Sequence, residues 1–117
     1  MDLPVSAPVV VLVTFPSLEV ARSISAALVG EGLAACVNLL TGAESVYRWE
    51  GKVEVASEVV GLVKTTNTSM GALQELYLRL HPYEVPEFLT IDTSGGSPAY
   101  LDWLRSSVTG GGIREEK

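Results

Sequence analysis

Residues 33–65 set the tightest limit on what this chain can become. Two extended arms run about Glu50-Gly51, with Tyr47 and Trp49 on the way in and Val53 and Val55 on the way out. A Glu-Gly pair between β-rich runs predicts a tight hairpin, though it is a weaker turn signal than Asn-Gly or Asp-Gly. Each arm is about fifteen residues, roughly 50 Å at about 3.3 Å per residue, whereas an ordinary strand has about five or six. A helix of a small domain covers only about 20 Å. The far half of the hairpin is therefore expected to find its cover on another copy of the chain, with function where the copies meet. Thr41-Gly42-Ala43 breaks the alternation of the first arm and predicts a bulge or bend there.

Around the hairpin the pattern switches between periods of two and 3.6. Val9 to Phe15 is a continuous, β-branched run, as expected of a central strand buried on both faces. Ser17 can cap a helix with Glu19 in its first turn and Leu18, Ala21, Ile24 and Leu28 as its stripe. Gly30 and Gly32 close it, and Gly32 suits the left-handed terminal position. Thr66-Asn67-Thr68-Ser69 offers caps for a second helix with the stripe Met70, Leu73, Leu76, Tyr77 and Leu80, stopped by His81-Pro82. Phe88 to Thr93 predicts a short strand with Leu89 and Ile91 on one face. Ser97-Pro98 opens a last helix that buries Leu101, Leu104 and Val108.

The order β-α-β, β-α-β and a terminal helix predicts an α+β fold. The expected form is a ferredoxin-like split β-α-β sandwich, with the helices on one sheet face. That domain is expected over 9–108, with 1–8 as an N-terminal tail. The Gly110-Gly111-Gly112 run and the charged end from Arg114 to Lys117 predict a disordered tail over 109–117.

Composition narrows the partners. At 117 residues and 47% hydrophobic the chain fits one domain with a sizeable core. A net charge of −6 repels phosphate backbones, so nucleic acid is not the expected partner. The longest unbroken apolar run, Val9 to Val13, falls far below membrane-spanning length, and Met1 to Pro8 lacks the pattern of a secretory signal. Cys36 is the lone cysteine, which fits a reducing, cytoplasmic setting, and its apolar surroundings predict a buried, inert thiol.

The densest group of polar and conformationally restricted residues is His81-Pro82-Tyr83-Glu84-Val85-Pro86-Glu87. His81, Glu84 and Glu87 offer one imidazole and two carboxylates, a donor set that suits zinc, copper or nickel. The competing account is a rigid helix-to-strand connector whose polar groups pair locally. Tyr47 and Trp49 lie two apart on one strand face and suit an interface anchor. Lys64 stands at a strand end, where an anion or a carboxylate could meet it.

Five segments then carry a resemblance: Ala34-Ala35-Cys36-Val37-Asn38, Ser45 to Lys52, Lys64-Thr65-Thr66, His81 to Glu87 and Tyr100-Leu101-Asp102-Trp103. In this order and spacing, over about residues 9 to 107, the chain resembles the CutA family, the divalent-cation-tolerance proteins. The resemblance implies a tight homotrimer, similar in architecture to the PII signalling proteins, with hairpins of neighbouring subunits pairing across the interfaces. It implies a role in tolerance to copper and other divalent cations, and no catalytic mechanism carries over. Members assigned as copper binders carry a cysteine on the first strand and a second histidine before the His-Pro-Tyr motif. Val13 and Leu80 stand there in this chain.

The expectation is therefore a non-enzymatic cytoplasmic trimer with no required cofactor and weak, subunit-bridged or adventitious copper or zinc contact. Its metal residues are His81, Glu84 and Glu87. Its intersubunit cleft is expected to involve Tyr47, Trp49, Lys64, Tyr83 and Trp103. The rival is a PII-like sensor binding a small anionic metabolite through Lys64.

Overall fold

A computed structural model describes residues 6–109 of the chain. The expected tail segments at 1–5 and 110–117 lie outside the described residues. Seven elements follow in order: β1 Pro8–Phe15, α1 Leu18–Gly30, β2 Cys36–Trp49, β3 Lys52–Thr66, α2 Met70–Leu80, β4 Phe88–Asp92 and α3 Pro98–Ser107. The four strands form one sheet in the order β2-β3-β1-β4, antiparallel throughout. The two β-α-β units are thus interleaved rather than side by side, as a split β-α-β arrangement requires.

Each helix start reflects its local chemistry. Ser17 caps α1 by accepting the Val20 N–H at 3.2 Å. At the other end Gly32 takes φ 75°, and the Leu33 N–H returns to Leu28 O at 3.0 Å. The chain then turns directly into the sheet, because Ala35 N–H donates to Lys64 O and the Thr65 hydroxyl donates to Leu33 O at 2.6 Å. Residues 33–35 are used in that return, so β2 begins at Cys36 rather than Leu33.

The second helix departs from its expected capping. Ser69 occupies the N-cap position without a side-chain cap bond to α2. Asn67 instead faces the incoming chain, and its Oδ1 accepts the Ala7 N–H at 3.0 Å. Arg105 Nε donates to Ser6 O at 2.9 Å, so residues 6 and 7 are fastened from two sides. The buried row on α2 runs Leu73, Tyr77 and the capping residue His81 at a spacing of four; Leu80 lies outside it and is 42% exposed.

The core lies between the helices and one sheet face. Val9, Val11, Val13 and Phe15 alternate inward from β1 and meet Val59 and Val63 of β3, with Ala21, Ile24 and Leu28 of α1 and Leu73 and Tyr77 of α2 above them. The opposite face stays half open. Val10 and Leu12 of β1, Val60 and Leu62 of β3, and the exposed Leu40, Leu89 and Ile91 line it. β1 is therefore central, yet sealed on one face only. α3 rests against β1 and β3 and buries Leu104 outside the main core.

The hairpin turn is as tight as the sequence predicts. Glu50 and Gly51 both take positive φ, 51° and 82°, and Trp49 pairs with Lys52 across a two-residue loop. A register break falls between Leu40 and Ala43, with Gly42 at φ 85°. One extra residue there inverts the faces of β2. Val37 and Leu39 point to the core side before the break; Ala43, Ser45, Tyr47 and Trp49 point to the opposite side after it. Beyond the break the hairpin overhangs the body. Val46, Val53 and Val55 are 66%, 65% and 59% exposed, and the molecule measures 53 × 31 × 25 Å.

Candidate functional site

The overhanging hairpin and the segment between α2 and β4 enclose one cleft of about 570 Å³. The hairpin wall carries Ser45, Tyr47 and Trp49 from β2 and Glu58 from β3, all on the face that the Gly42 bulge selects. The connector wall carries Tyr83, Glu84, Val85 and Glu87, and Thr14 closes the floor at the end of β1. Among the described residues no lysine or arginine lines it.

Tyr77 and His81 hold the connector wall in place. The Tyr77 hydroxyl donates to Glu87 O at 2.7 Å and lies 3.3 Å from Thr14 O. His81 stacks on Phe15 with ring centroids 5.8 Å apart and an interplanar angle of 15°. Its Nε2 lies 2.8 Å from Thr14 O, and its Nδ1 accepts the Tyr83 N–H at 3.1 Å. A carbonyl only accepts, so Nε2 carries the proton and Nδ1 offers its lone pair to the backbone. Both imidazole nitrogens are committed to backbone groups, one on β1 and one in the connector.

Across the cleft the Tyr83 hydroxyl donates to Glu58 Oε2 at 2.7 Å. Burial, together with this bond to a carboxylate and its charge, pushes the Tyr83 phenol well above its usual value. Burial also raises the Glu87 carboxyl above its ordinary value, with the Glu58 charge adding to the effect. Tyr77 is likewise raised, first by burial and then by the Glu87 charge. The site thus disfavours further negative charge and keeps both phenols as donors.

Of the residues anticipated from the sequence, Tyr47, Trp49, Tyr83, Glu84 and Glu87 come together in this cleft. His81 lies buried behind the connector, outside the cleft lining. Lys64 does not reach the cleft; it pairs with Val10 and Cys36 across the sheet and its Nζ bonds to Asn38 Oδ1. Trp103 lies on α3 against Tyr100, with ring centroids 5.4 Å apart, and also stands apart. Glu58 was missed. Counting pairs back from the Glu50-Gly51 turn places it beside Ala43 and on the face of Tyr47, so register was the signal that could have found it.

A resident copper or zinc centre does not fit one copy of this chain. No group of three or more His, Cys, Asp or Glu side chains that could hold a metal ion occurs among the described residues. Val13 is fully buried in the core, Leu80 carries no ligand atom, and the single histidine has both nitrogens occupied.

Comparison with known proteins places this geometry in a set. Residues 9–107 match the family model described as CutA1 divalent ion tolerance protein. The chain is 51% identical over 99 residues to the divalent-cation tolerance protein CutA of Thermus thermophilus, spanning 85% of this chain and 96% of that protein. The solved structure of the divalent cation tolerance protein from Thermus thermophilus aligns with a TM-score of 0.85 at 50% identity, covering 86% of this chain and 98% of that one. CutA from Xylella fastidiosa aligns with a TM-score of 0.85 at 41% identity, covering 88% and 99% of the two chains.

Proposed function

The chain belongs to the CutA1 divalent ion tolerance protein family, and from that premise we propose that it acts as a homotrimer that binds its ligand and does not transform it. The cleft carries this reading. Its hairpin wall belongs to an overhang that one chain leaves uncovered, and among the described residues Glu58, Glu84 and Glu87 line the cleft with no basic side chain. A second copy would cover Val46, Val53 and Val55 and the half-open sheet face, both of which one chain leaves to water.

Divalent ions enter this proposal as weakly held cargo. The cleft carboxylates do not converge as a group of three, so each offers oxygen donors singly, Glu87 among them, and neighbouring subunits supply the rest of the coordination sphere. A binding role is supported by the state of the single histidine. Ser45 and Thr14 bring hydroxyls to the cleft, but the imidazole that would activate them is spent on Thr14 O and the Tyr83 N–H. The unpaired Cys36 supports a reducing, cytoplasmic setting as part of the same proposal.

Calorimetric titration of the assembled protein with zinc and copper chlorides tests it. Weak saturable binding is expected, diminished in Glu87→Gln and retained in His81→Gln. Binding abolished by His81→Gln and untouched by Glu87→Gln would place the ion at the imidazole and overturn the carboxylate assignment.

A further inference from the structure

The cleft holds more than a metal ion needs. Three aromatic rings converge on it from two separate segments, Tyr47 and Trp49 from the hairpin and Tyr83 from the connector. Its volume of about 570 Å³ lies in the range of about 300–1,000 Å³ that small organic ligands occupy. A small hydrated ion gains nothing from aromatic faces and needs several convergent donor atoms. A weakly hydrated organic cation gains from both aromatic faces and carboxylates.

We propose that this cleft binds an alkylammonium cation, packed against Tyr47, Trp49 and Tyr83 and neutralised by Glu58, Glu84 and Glu87. The inference goes beyond the divalent-ion reading and uses the same cleft, so the two must be separated by experiment. Preorganisation favours it. The Tyr83–Glu58 bond of 2.7 Å holds a ring and a carboxylate from opposite walls in one orientation. The Tyr77 bond to Glu87 O of 2.7 Å fixes the connector from behind. Neither wall has to be rebuilt to admit the cation. The Gly42 bulge serves the same end, since without it both hairpin rings would point away. The raised Glu87 carboxyl is consistent with a site short of positive charge.

The test uses the full chain in a Trp103→Phe background, where Trp49 is the only remaining tryptophan. Its fluorescence is titrated with choline chloride and with putrescine, against sodium chloride at matched ionic strength, and separately with zinc chloride. Saturable quenching by either amine is expected, at least about tenfold weaker in Glu58→Gln and in Glu87→Gln, with thermal melts confirming that both variants fold. Absence of a saturable response to both amines, or a response unchanged in the two glutamine variants, overturns the proposal. Zinc binding without amine binding also overturns it and leaves the divalent-ion reading standing. Amine binding without zinc binding supports it and removes that reading instead.

Discussion

The Tyr83 hydroxyl reaches 2.7 Å to Glu58 Oε2, tying the connector after α2 to the hairpin beside its bulge. Both residues line the cleft, one on each wall, so the bond sets the separation of the two walls.

Tyr83→Phe tests that tie with little change in shape. It removes one charge-assisted bond in a half-buried setting, and a loss of about 1 kcal/mol is expected in urea denaturation at fixed protein concentration. Ligand binding in the cleft should weaken with it, since Glu58 is no longer oriented. An unchanged denaturation midpoint together with unchanged binding would show that the bond does neither.

Deleting Gly42 should separate fold from site. Removing the extra residue restores simple alternation along β2 and sends Tyr47 and Trp49 to the opposite face of the hairpin. The core pairs from Val37 to Leu40 precede the break and stay in register. The expected result is a folded chain by circular dichroism whose cleft no longer binds. Retained binding would mean that the hairpin faces are not set by the bulge.

The pH response follows from Glu87. Its folded pKa is raised, by burial first and the Glu58 charge second. The folded state therefore favours the protonated carboxyl. That stabilising contribution is full below the unfolded value of about 4.3 and is lost as pH rises through the folded one. Glu87→Gln should accordingly stabilise the protein at pH 7, with the gain shrinking towards pH 4. Cation binding should weaken on acidification through the same window, because the cation needs the charged form. A variant equally stabilised at both pH values would contradict the assignment to Glu87.

Much of this was legible in the chain, and the failures have common causes. The hairpin, its Glu50-Gly51 turn, the bulge at Gly42 and the Gly32 terminus are local signals, carried by residues whose backbone choices are narrow. The cleft was half legible for the same reason: Tyr47 and Trp49 share a face, and the two prolines mark the connector. Lys64 and Trp103 were assigned to an intersubunit cleft; within one chain both stand apart from the cleft that Tyr47 and Trp49 line, a separation set by the three-dimensional path of β3 and α3. His81 read as a ligand because the sequence does not show that Thr14 O and the Tyr83 N–H face its two nitrogens. Glu58 went unnoticed although the register contained it. Asn67, one of the capping candidates at 66–69, instead accepts a long-range bond from the Ala7 N–H just before β1.

Assembly is the claim on which the proposed function depends, and sedimentation equilibrium of the wild-type chain at low micromolar concentration addresses it most directly. The account predicts one species near three times 12.4 kDa, shifted to smaller mass by Val53→Glu on the exposed hairpin, with the helical circular dichroism preserved. A folded wild-type species at 12.4 kDa would contradict it.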